Sequence, residues 1–329
     1  MSVSIGVIRD ARDSVTKDRM KEIYKAMGEY LAANHRLPCP ASAQLVNNNA
    51  SYGLEVECNK TLTSAAGIWQ SEQNPNVVYG MIPIKALKLS KDMAEDGFGS
   101  KFAYVILKGY TSSATFGVLD ASNYTGNGSG YVYNADSLDS SEDNKIRIHQ
   151  KDGSSVTRLT ASGMFVLISY GANKSCAFPA NSTSQNSAYT DADEILNCAS
   201  LLDTPNQGKA YFYNYSYPSA LPFLASSNSE TFDDILFYKT RDEMVSDFNL
   251  LNLIQCEADT STNSYNYYGA VQIAWPAAKY GQIVSGYQTI NLSTVCPVGY
   301  TAGPMSPTRK CGAYGNWENV LNPCLQNGS

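Results

Sequence analysis

The sequence predicts an α+β protein: a long N-terminal amphipathic helix packed on an antiparallel β-sheet, followed by a small, disulfide-rich, all-β C-terminal module. Three observations lead to this prediction: a long helical pattern at the start, short β-prone runs after it, and eight cysteines of which four fall in the last quarter. A chain of 329 residues exceeds the usual size of one core. We therefore expect three parts: the helix over residues 1–36, a β-rich globular domain over 37–250, and the C-terminal module over 251–329.

The helix is predicted over residues 5–34. Apolar side chains recur there at steps of three to five residues, charged residues fill the gaps, and no proline occurs before Pro38. Thirty helical residues extend about 45 Å, which is longer than one small domain needs. Two interpretations stay open: a core helix with a frayed start, or the lower half of a longer helix whose upper, apolar half was membrane or assembly surface. In the second case the assembly residues are Ile5, Ile8, Val15, Ile23 and Met27.

The helix is expected to end at a fixed point. Pro38 disfavours the helical conformation at Leu37, and Pro40 keeps the backbone that follows extended. Cys39 between them can fasten this exit to another segment, and Cys58 is the nearest candidate partner.

Short strands are predicted beyond the helix exit, because the chain there is rich in β-branched and aromatic residues with partial alternation. Polar segments such as KDGSS and NSTSQNS separate them and have the composition of turns and loops. The predicted strands are Lys101–Leu107, Phe116–Leu119, Tyr131–Tyr133, Ile146–His149, Met164–Tyr170 and Ala210–Tyr215.

The eight cysteines are widely spaced, and none forms a CxxC pair. This spacing favours four disulfides formed in an oxidising compartment over a zinc site, which needs close ligand pairs. Eight cysteines allow about 105 connectivities, so spacing alone does not fix the pairing. The N-terminus has neither a signal peptide nor an apolar run long enough to cross a bilayer. Either an export signal and anchor were removed or none existed, and the cysteines favour removal.

Composition argues against several functions. A net charge of −6 leaves no basic surface for nucleic acid or anionic membranes. No GxSxG, P-loop, HExxH or GxGxxG motif occurs, and only two histidines are present, His35 at the helix exit and His149 on a predicted strand. We therefore expect no catalytic residues and no enzyme.

Five phrases occur in an order that resembles type IV pilin-like proteins and type II secretion pseudopilins: LPCPAS, MIPIKALKL, DGFGSKFAYVI, MFVLISYGANKSCAF and ETFDDILFYKTRDEM. The resemblance runs over roughly residues 5–250. It implies a subunit that enters the membrane by an apolar N-terminal helix and packs helix against helix into an extracytoplasmic filament. The apolar half-helix of that family and its cleavage site are absent from these residues. The globular part is also large for a major pilin.

Asp96, Gly97 and Gly99 in the DGFG phrase predict a turn at the junction between the helix and the strand that starts at Lys101. A plain turn without a ligand is the ordinary interpretation of such a cluster.

A calcium site is a second expectation from the resemblance, because some pseudopilins hold calcium near the sheet with loop carboxylates, and calcium prefers oxygen ligands. Asp233 and Asp234 are the first candidates, although they could equally begin a helix. Asp191 and Asp193, with Glu194 beside them, and the acidic run from Asp136 to Asp143 are further candidates that lack EF-hand spacing. No other cofactor is expected.

The tail CPVGYTAGPMSPTRKCGAYGNWENVLNPC resembles the second half of a sushi module, and Cys256 and Trp275 could belong to its first half. This resemblance implies the crossed disulfides Cys256–Cys311 and Cys296–Cys324 around Trp317. Chain spacing then leaves Cys39–Cys58 and Cys176–Cys198 as the other two bonds.

A binding surface is the functional interpretation of the C-terminal module. Tyr265, Tyr267 and Tyr268, with Trp275, give the amphipathic mixture found at recognition surfaces, and exposed tyrosines suit stacking on sugar rings. The alternative is a purely mechanical module, too small for a generous core and held by disulfides and one buried tryptophan.

These observations favour an extracytoplasmic filament subunit, a minor or tip-presented pilin or pseudopilin, whose partners are other pilin subunits. A free secreted adhesin that recognises a glycan or a protein is the alternative, and a secreted hydrolase comes third. Contact with a membrane is expected only through the missing N-terminal segment. The expected location is the cell surface or the periplasm.

Overall fold

The structure is a computed structural model of the chain. It has a long N-terminal helix, a seven-stranded sheet, further short strands and disulfides, and so belongs to the mixed α/β class. The chain divides into two compact units, one formed by residues 1–113 and 138–244 and the other by 114–137 and 245–329. The residues described are 4–58, 67–70, 77–113, 116, 146–187, 191–198, 221–229, 231–256, 258, 273–285, 287–288, 300–301, 308–312, 317–318 and 325–326.

The helices and strands alternate irregularly along the chain. The α-helices are α1 (Ser4–Asn34), α2 (Ala192–Asn197) and α3 (Arg241–Asp247), and 3-10 turns cover Lys91–Ala94, Lys108–Thr111 and Leu251–Leu253. The strands of the large sheet are β1 (Trp69–Gln70), β2 (Val77–Met81), β3 (Ala103–Leu107), β4 (Ile146–Asp152), β5 (Ser155–Ser169), β6 (Leu221–Ser226) and β7 (Ile235–Thr240).

The first helix matches its prediction closely: α1 has 31 residues, and it ends before the two prolines. His35 follows it with a positive φ of 55° and donates its backbone N–H to Leu31 O, which closes the last turn. The backbone N–H of Leu37 then donates to Tyr110 O at 2.9 Å. The helix exit is therefore fixed by backbone bonds as well as by proline.

Burial divides α1 into two halves. Its C-terminal half carries a buried stripe at steps of three and four residues, and residues 6–12 are exposed. The Tyr24 ring of this half lies 5.1 Å from the Phe237 ring on β7 and 6.3 Å from the Phe165 ring on β5. The stripe consists of Thr16, Met20, Ile23, Met27 and Leu31.

The large sheet has the order β1-β2-β3-β5-β4-β6, and β7 pairs with β5. All of its pairs are antiparallel except that of β4 with β6, which is parallel. The sheet is thus mixed, where a wholly antiparallel sheet was expected. Residues in the middle of β2 and β3 are buried on both faces, so these strands lack the alternation of a half-exposed strand.

The strand predictions were partly right. β3 and β4 lie where the sequence placed them, and the predicted KDGSS turn joins β4 to β5 through Gly153. β5 starts nine residues earlier than predicted, and β1, β2, β6 and β7 were missed. Two predicted strands, 131–133 and 210–215, and all but Phe116 of a third, 116–119, lie outside the described residues; Phe116 itself is in a turn.

The DGFG turn precedes β3 and contacts both α1 and the sheet. Asp96 Oδ1 accepts the backbone N–H groups of Phe98 and Ser100 at 2.9 Å each, and its Oδ2 accepts the hydroxyl of Ser169 at 2.6 Å. A side chain at Gly97 would place its Cβ 2.2 Å from the Arg12 carbonyl oxygen of α1. Glycine at this position lets the helix backbone approach the turn directly.

Three of the four expected disulfides are formed: Cys39–Cys58, Cys176–Cys198 and Cys256–Cys311. Cys296 and Cys324 lie outside the described residues. Disulfides persist in oxidising compartments, so they indicate an extracellular or periplasmic protein. Among the described residues, no helix is both long and apolar enough to cross a bilayer.

The second unit is built from two-stranded antiparallel pieces around Cys256–Cys311. Trp275 is fully buried there, 6.5 Å from the partly buried Trp317 ring, and the Arg309 guanidinium lies over both rings. The sequence placed Trp317 at the centre of this module, but Trp275 is the more buried of the two. The short strands are Gln255–Cys256, Ile273–Ala274, Ala278–Lys279, Ile283–Ser285, Tyr287–Gln288, Tyr300–Thr301, Thr308–Lys310 and Leu325–Gln326.

Candidate metal centre

Three acidic side chains of the first unit meet at the end of the large sheet. Glu194 projects from the short helix α2, and Asp233 and Asp234 lie just before β7. One carboxylate oxygen from each lies within 4.8 Å of the other two. Asp233 and Asp234 are the pair that the sequence proposed as calcium ligands, and Glu194 joins them from the acidic segment 40 residues earlier.

Each carboxylate of this cluster has one oxygen held by N–H donors. Asp233 Oδ2 accepts the backbone N–H groups of Ala172 at 2.8 Å and Asn173 at 3.1 Å. The Asn173 amide donates to Glu194 Oε1 and to Thr231 O. These bonds fix the direction in which each side chain points.

Asn197 orients the third carboxylate, that of Asp234, by a hydrogen bond. Its amide nitrogen donates to Asp234 Oδ2 at 2.9 Å and to Leu224 O at 2.9 Å, and its carbonyl oxygen accepts the N–H of Leu224 at 2.8 Å. The residue therefore connects α2 to β6 and to the cluster at once.

The second oxygen of each carboxylate is buried and has no hydrogen-bond partner within the part of the chain that the structure describes: Glu194 Oε2, Asp233 Oδ1 and Asp234 Oδ1. Glu194 is 1% exposed and Asp234 7% exposed, and the side chain of Asp233 is 7% exposed. Buried carboxylate oxygens are costly unless they are bonded. One unpartnered oxygen on each of three adjacent acids points to a cation as the missing partner.

Burial raises the pKa values of all three carboxyl groups in the cluster. Burial raises the pKa of Asp234 well above its ordinary value, and the charges of Glu194 and Asp233 raise it further. Burial also raises the pKa of Glu194 and of Asp233, against the hydrogen bonds that lower them. The Arg9 guanidinium of α1 lies 3.8 Å from Asp233 Oδ2 and offsets part of this negative charge.

The donor set suits a hard divalent cation. Calcium binds oxygen at about 2.3–2.6 Å, so two oxygens on one ion lie at most about 5.2 Å apart. The 4.8 Å limit within the cluster falls inside this distance. The N–H donors on the other oxygens are of the kind that orient metal ligands from outside the coordination sphere. Calcium fits these residues.

Gly171 allows Asp233 to reach this position. Its φ of 58° lies in the left-handed region, and an added Cβ would lie 2.2 Å from Asp233 Oδ1. Any side chain at this position would therefore displace the carboxylate.

Asp191 and Asp193, which the sequence also proposed as calcium ligands, lie near the cluster but have partners of their own. Asp193 forms an ion pair with Lys151 at 2.7 Å and accepts the hydroxyl of Ser227. Asp191 begins α2, where its Oδ1 accepts the N–H of Asp193 at 2.8 Å and its Oδ2 accepts the hydroxyls of Ser229 and Thr231. The three-carboxylate cluster does not include these two acids, so we do not count them among its ligands. The acidic run at 136–143 lies outside the described residues.

Sequence reasoning missed the residues that position the ligands. Gly171, Asn173 and Asn197 received no role, although the GAN segment after a predicted strand carried the composition of a turn. An asparagine in a turn gives no sign in the sequence of the distant carboxylate that it will bind.

The predicted assembly residues fall into two groups. Ile8 and Val15 are 50% and 43% exposed, but Ile23 and Met27 are fully buried in the chain's own core. The last two therefore cannot contact another subunit, and their assembly role is corrected. The side chain of Ile5 lies outside the described residues.

Of the predicted recognition residues, only Trp275 lies within the described residues. Tyr265, Tyr267 and Tyr268 lie outside the described residues, and Trp275 is buried beneath Arg309 and so cannot stack on a ligand at the surface.

The two histidines lie at the helix exit and in the sheet. His35 follows α1, and His149 lies on β4, where burial and then the charges of Arg147 and Arg158 lower its pKa to about 4. An imidazole with this pKa is a weak base at neutral pH.

No family model, no curated protein and no solved structure matches this chain.

Proposed function

We propose that this protein is a non-catalytic subunit of an extracytoplasmic filament, a minor or tip-presented pilin or pseudopilin, and that its globular part binds calcium. The resemblance of five ordered sequence phrases to pilin-like proteins suggests the family. The disulfides support an extracytoplasmic site of action, and the acidic cluster supports calcium as the bound ion.

The exposed first half of α1 is the observation on which the filament role depends. Val7, Ile8 and Val15 are 60%, 50% and 43% exposed, on a helix whose second half is buried. A helical segment of about ten residues is marginal in water without packing partners. In a filament, the equivalent helices of neighbouring subunits would cover these apolar side chains.

Site-specific photo-cross-linking in the producing cells tests this role. A photoreactive amino acid at Ile8 or at Val15 is expected to give covalent adducts between subunits, identified by mass spectrometry. Leu159 on the β4–β5 hairpin is the matched control, because it is also 43% exposed and apolar but lies outside α1. Adducts that are no more frequent at Ile8 than at Leu159 would contradict the filament role.

Immunogold electron microscopy separates the filament from the alternative of a free adhesin. Antibodies against the chain should label surface filaments or their assembly complexes. Protein found only in the culture medium would favour the adhesin.

The calcium ion would stabilise the fold. It would supply the positive charge that the three carboxylates lack and would join α2 to the segment before β7. Isothermal titration calorimetry of the purified chain is expected to show one calcium ion per chain. No binding at millimolar calcium would remove this part of the proposal.

A further inference from the structure

We propose that the Cys176–Cys198 disulfide assembles the calcium site, so that the cluster binds calcium tightly only after this bond has formed. The inference rests on the calcium binding of the proposed function and concerns its regulation.

The ligands of the cluster come from separate parts of the chain. Glu194 belongs to α2, and Asp233 and Asp234 follow almost 40 residues later. Two asparagines orient them: Asn173 donates to Glu194, and Asn197 donates to Asp234. The carboxylates can therefore be oriented correctly only if the segment around Asn173 and the end of α2 stay at a fixed distance from each other.

The disulfide sets that distance. Cys176 is three residues after Asn173, Cys198 is the residue after Asn197, and their Cα atoms lie 5.5 Å apart. Both cysteines are buried, and Tyr170 also donates its hydroxyl to Asn197 O. The covalent bond thus connects the two segments that carry the orienting amides.

Helix α2 depends on this bond because it is very short. It has six residues, and isolated helices below about 12 residues are marginal in water. Non-covalent contacts on α2 include the Asp193–Lys151 ion pair, the bonds of Asn197 and the Asn173–Glu194 bond. Without the disulfide, no covalent bond would hold Glu194 and Asn197 beside the segment that carries Asn173.

The Cys39–Cys58 disulfide is a matched control within the same unit. It closes a loop of similar length, with a separation of 19 residues against 22. Its surroundings are the helix exit, where Glu55 binds Arg36 and the N–H of Cys39. None of the ligands or orienting asparagines lies between residues 39 and 58.

The redox step is a thiol–disulfide exchange. The two thiols of Cys176 and Cys198 lose two protons and two electrons as the S–S bond forms, and a disulfide oxidant such as oxidised glutathione takes them up to become two thiols. Dithiothreitol reverses the step. A chain kept in a reducing compartment would then bind calcium weakly and would acquire it after export.

Calcium titration of three full-length proteins tests the proposal. We expect the Cys176→Ser/Cys198→Ser protein to bind calcium about 10- to 100-fold more weakly than wild type, the range found for the loss of groups that orient metal ligands. The Cys39→Ser/Cys58→Ser protein should bind within about twofold of wild type, because its disulfide touches no orienting group. Equal affinity in wild type and the Cys176→Ser/Cys198→Ser protein would overturn the inference. Absence of calcium binding by wild type would instead overturn the calcium site itself.

A second measurement uses only the wild-type chain and so does not depend on whether a variant folds. Linkage requires calcium to stabilise the Cys176–Cys198 bond by the same factor by which that bond strengthens calcium binding. The bond is titrated with dithiothreitol with and without saturating calcium, and thiols are alkylated and located by mass spectrometry. We expect calcium to shift the reduction equilibrium of Cys176–Cys198 about 10- to 100-fold while leaving Cys39–Cys58 unchanged. An equal shift for both bonds, or no shift for either, would overturn the inference.

Discussion

Asp193 and Glu194 are neighbours on one short helix, and both are buried, yet their surroundings differ completely. Asp193 has both oxygens bonded, to Lys151 and Ser227, so its charge is balanced within the protein. Glu194 Oε1 accepts the Asn173 amide, Oε2 has no hydrogen-bond partner among the described residues, and the carboxylate lies beside those of Asp233 and Asp234. Burial alone therefore does not distinguish a structural acid from a metal ligand. The distinction comes from whether both carboxylate oxygens have partners within the protein.

Helix geometry explains the difference. Successive residues of an α-helix point about 100° apart, so Asp193 and Glu194 face different neighbours. Asp193 meets Lys151 on β4, and Glu194 meets the loop at Asn173 and the segment before β7. We therefore interpret Asp193 as a structural acid and Glu194 as a ligand, and the two should respond differently to substitution.

Calcium affinity should show the largest contrast. Asp234→Asn removes one charged ligand and should weaken calcium binding by about 100-fold or more, because a direct ligand matters at least as much as the groups that orient it. Asp193→Asn should change the affinity by less than about threefold, since Asp193 contributes no ligand oxygen. Calorimetric titration measures both. Similar losses in the two variants would erase the distinction between the two acids.

Stability should then separate the two acids by their response to calcium. Asp193→Ala removes the ion pair with Lys151 and the bond from the Ser227 hydroxyl, and it should cost about 2 kcal/mol whether or not calcium is present. Glu194→Gln removes repulsion and should raise the melting temperature of the calcium-free protein. It should also abolish the stabilisation of about 3 kcal/mol that calcium gives wild type at roughly 100 times its Kd. Thermal unfolding in EDTA and in calcium checks both variants; a destabilised Glu194→Gln protein in EDTA would contradict this interpretation.

The pH dependence of the calcium-free protein gives a smaller effect. Folding raises the pKa of Asp234, Glu194 and Asp233, so the folded state holds their protons more tightly than the unfolded chain does. Their contribution to stability is complete below about pH 4, where unfolded carboxyls are protonated, and is lost as the pH rises through the raised values. We expect a steeper fall in melting temperature from pH 4.5 to 7.5 for wild type in EDTA than for Asp234→Asn. Identical slopes in EDTA would show that the cluster does not couple to folding.

Asp191 should give the smallest change. It begins α2 by accepting the N–H of Asp193, and loss of such a cap costs about 1 kcal/mol. Asp191→Ala should lower stability by this amount with and without calcium, as measured by urea unfolding. A loss of calcium binding on the scale of Asp234→Asn would instead make Asp191 a ligand.

The sequence predicted features that depend on local chemistry. The length of α1, the exit at Pro38, the DGFG turn and the KDGSS turn follow from periodicity, proline and glycine, which act within a few residues. Strand β2 was missed because every residue in it is buried, so it has no alternating pattern. The length of β5 was missed because its polar first half pairs with β4, a partner that composition does not reveal.

The sequence predicted the two ligands of the acidic site that are adjacent in the chain, but it did not single out the third. Asp233 and Asp234 are adjacent in the sequence and could be proposed together. Whether Asp193 or Glu194 faces them depends on the side of α2 to which each residue points, and the sequence does not give this. The division of α1 into a buried and an exposed half was also beyond the sequence, because Val15 and Ile23 fit the same apolar pattern.

A crystal structure of the chain with calcium, checked by anomalous scattering after exchange for terbium, tests the central claim most directly. The account predicts one ion bonded to Glu194 Oε2, Asp233 Oδ1 and Asp234 Oδ1 at about 2.3–2.6 Å, with the Asn173 and Asn197 bonds retained. Anomalous density elsewhere only, with these three oxygens hydrogen-bonded to water or to one another at millimolar calcium, would contradict it.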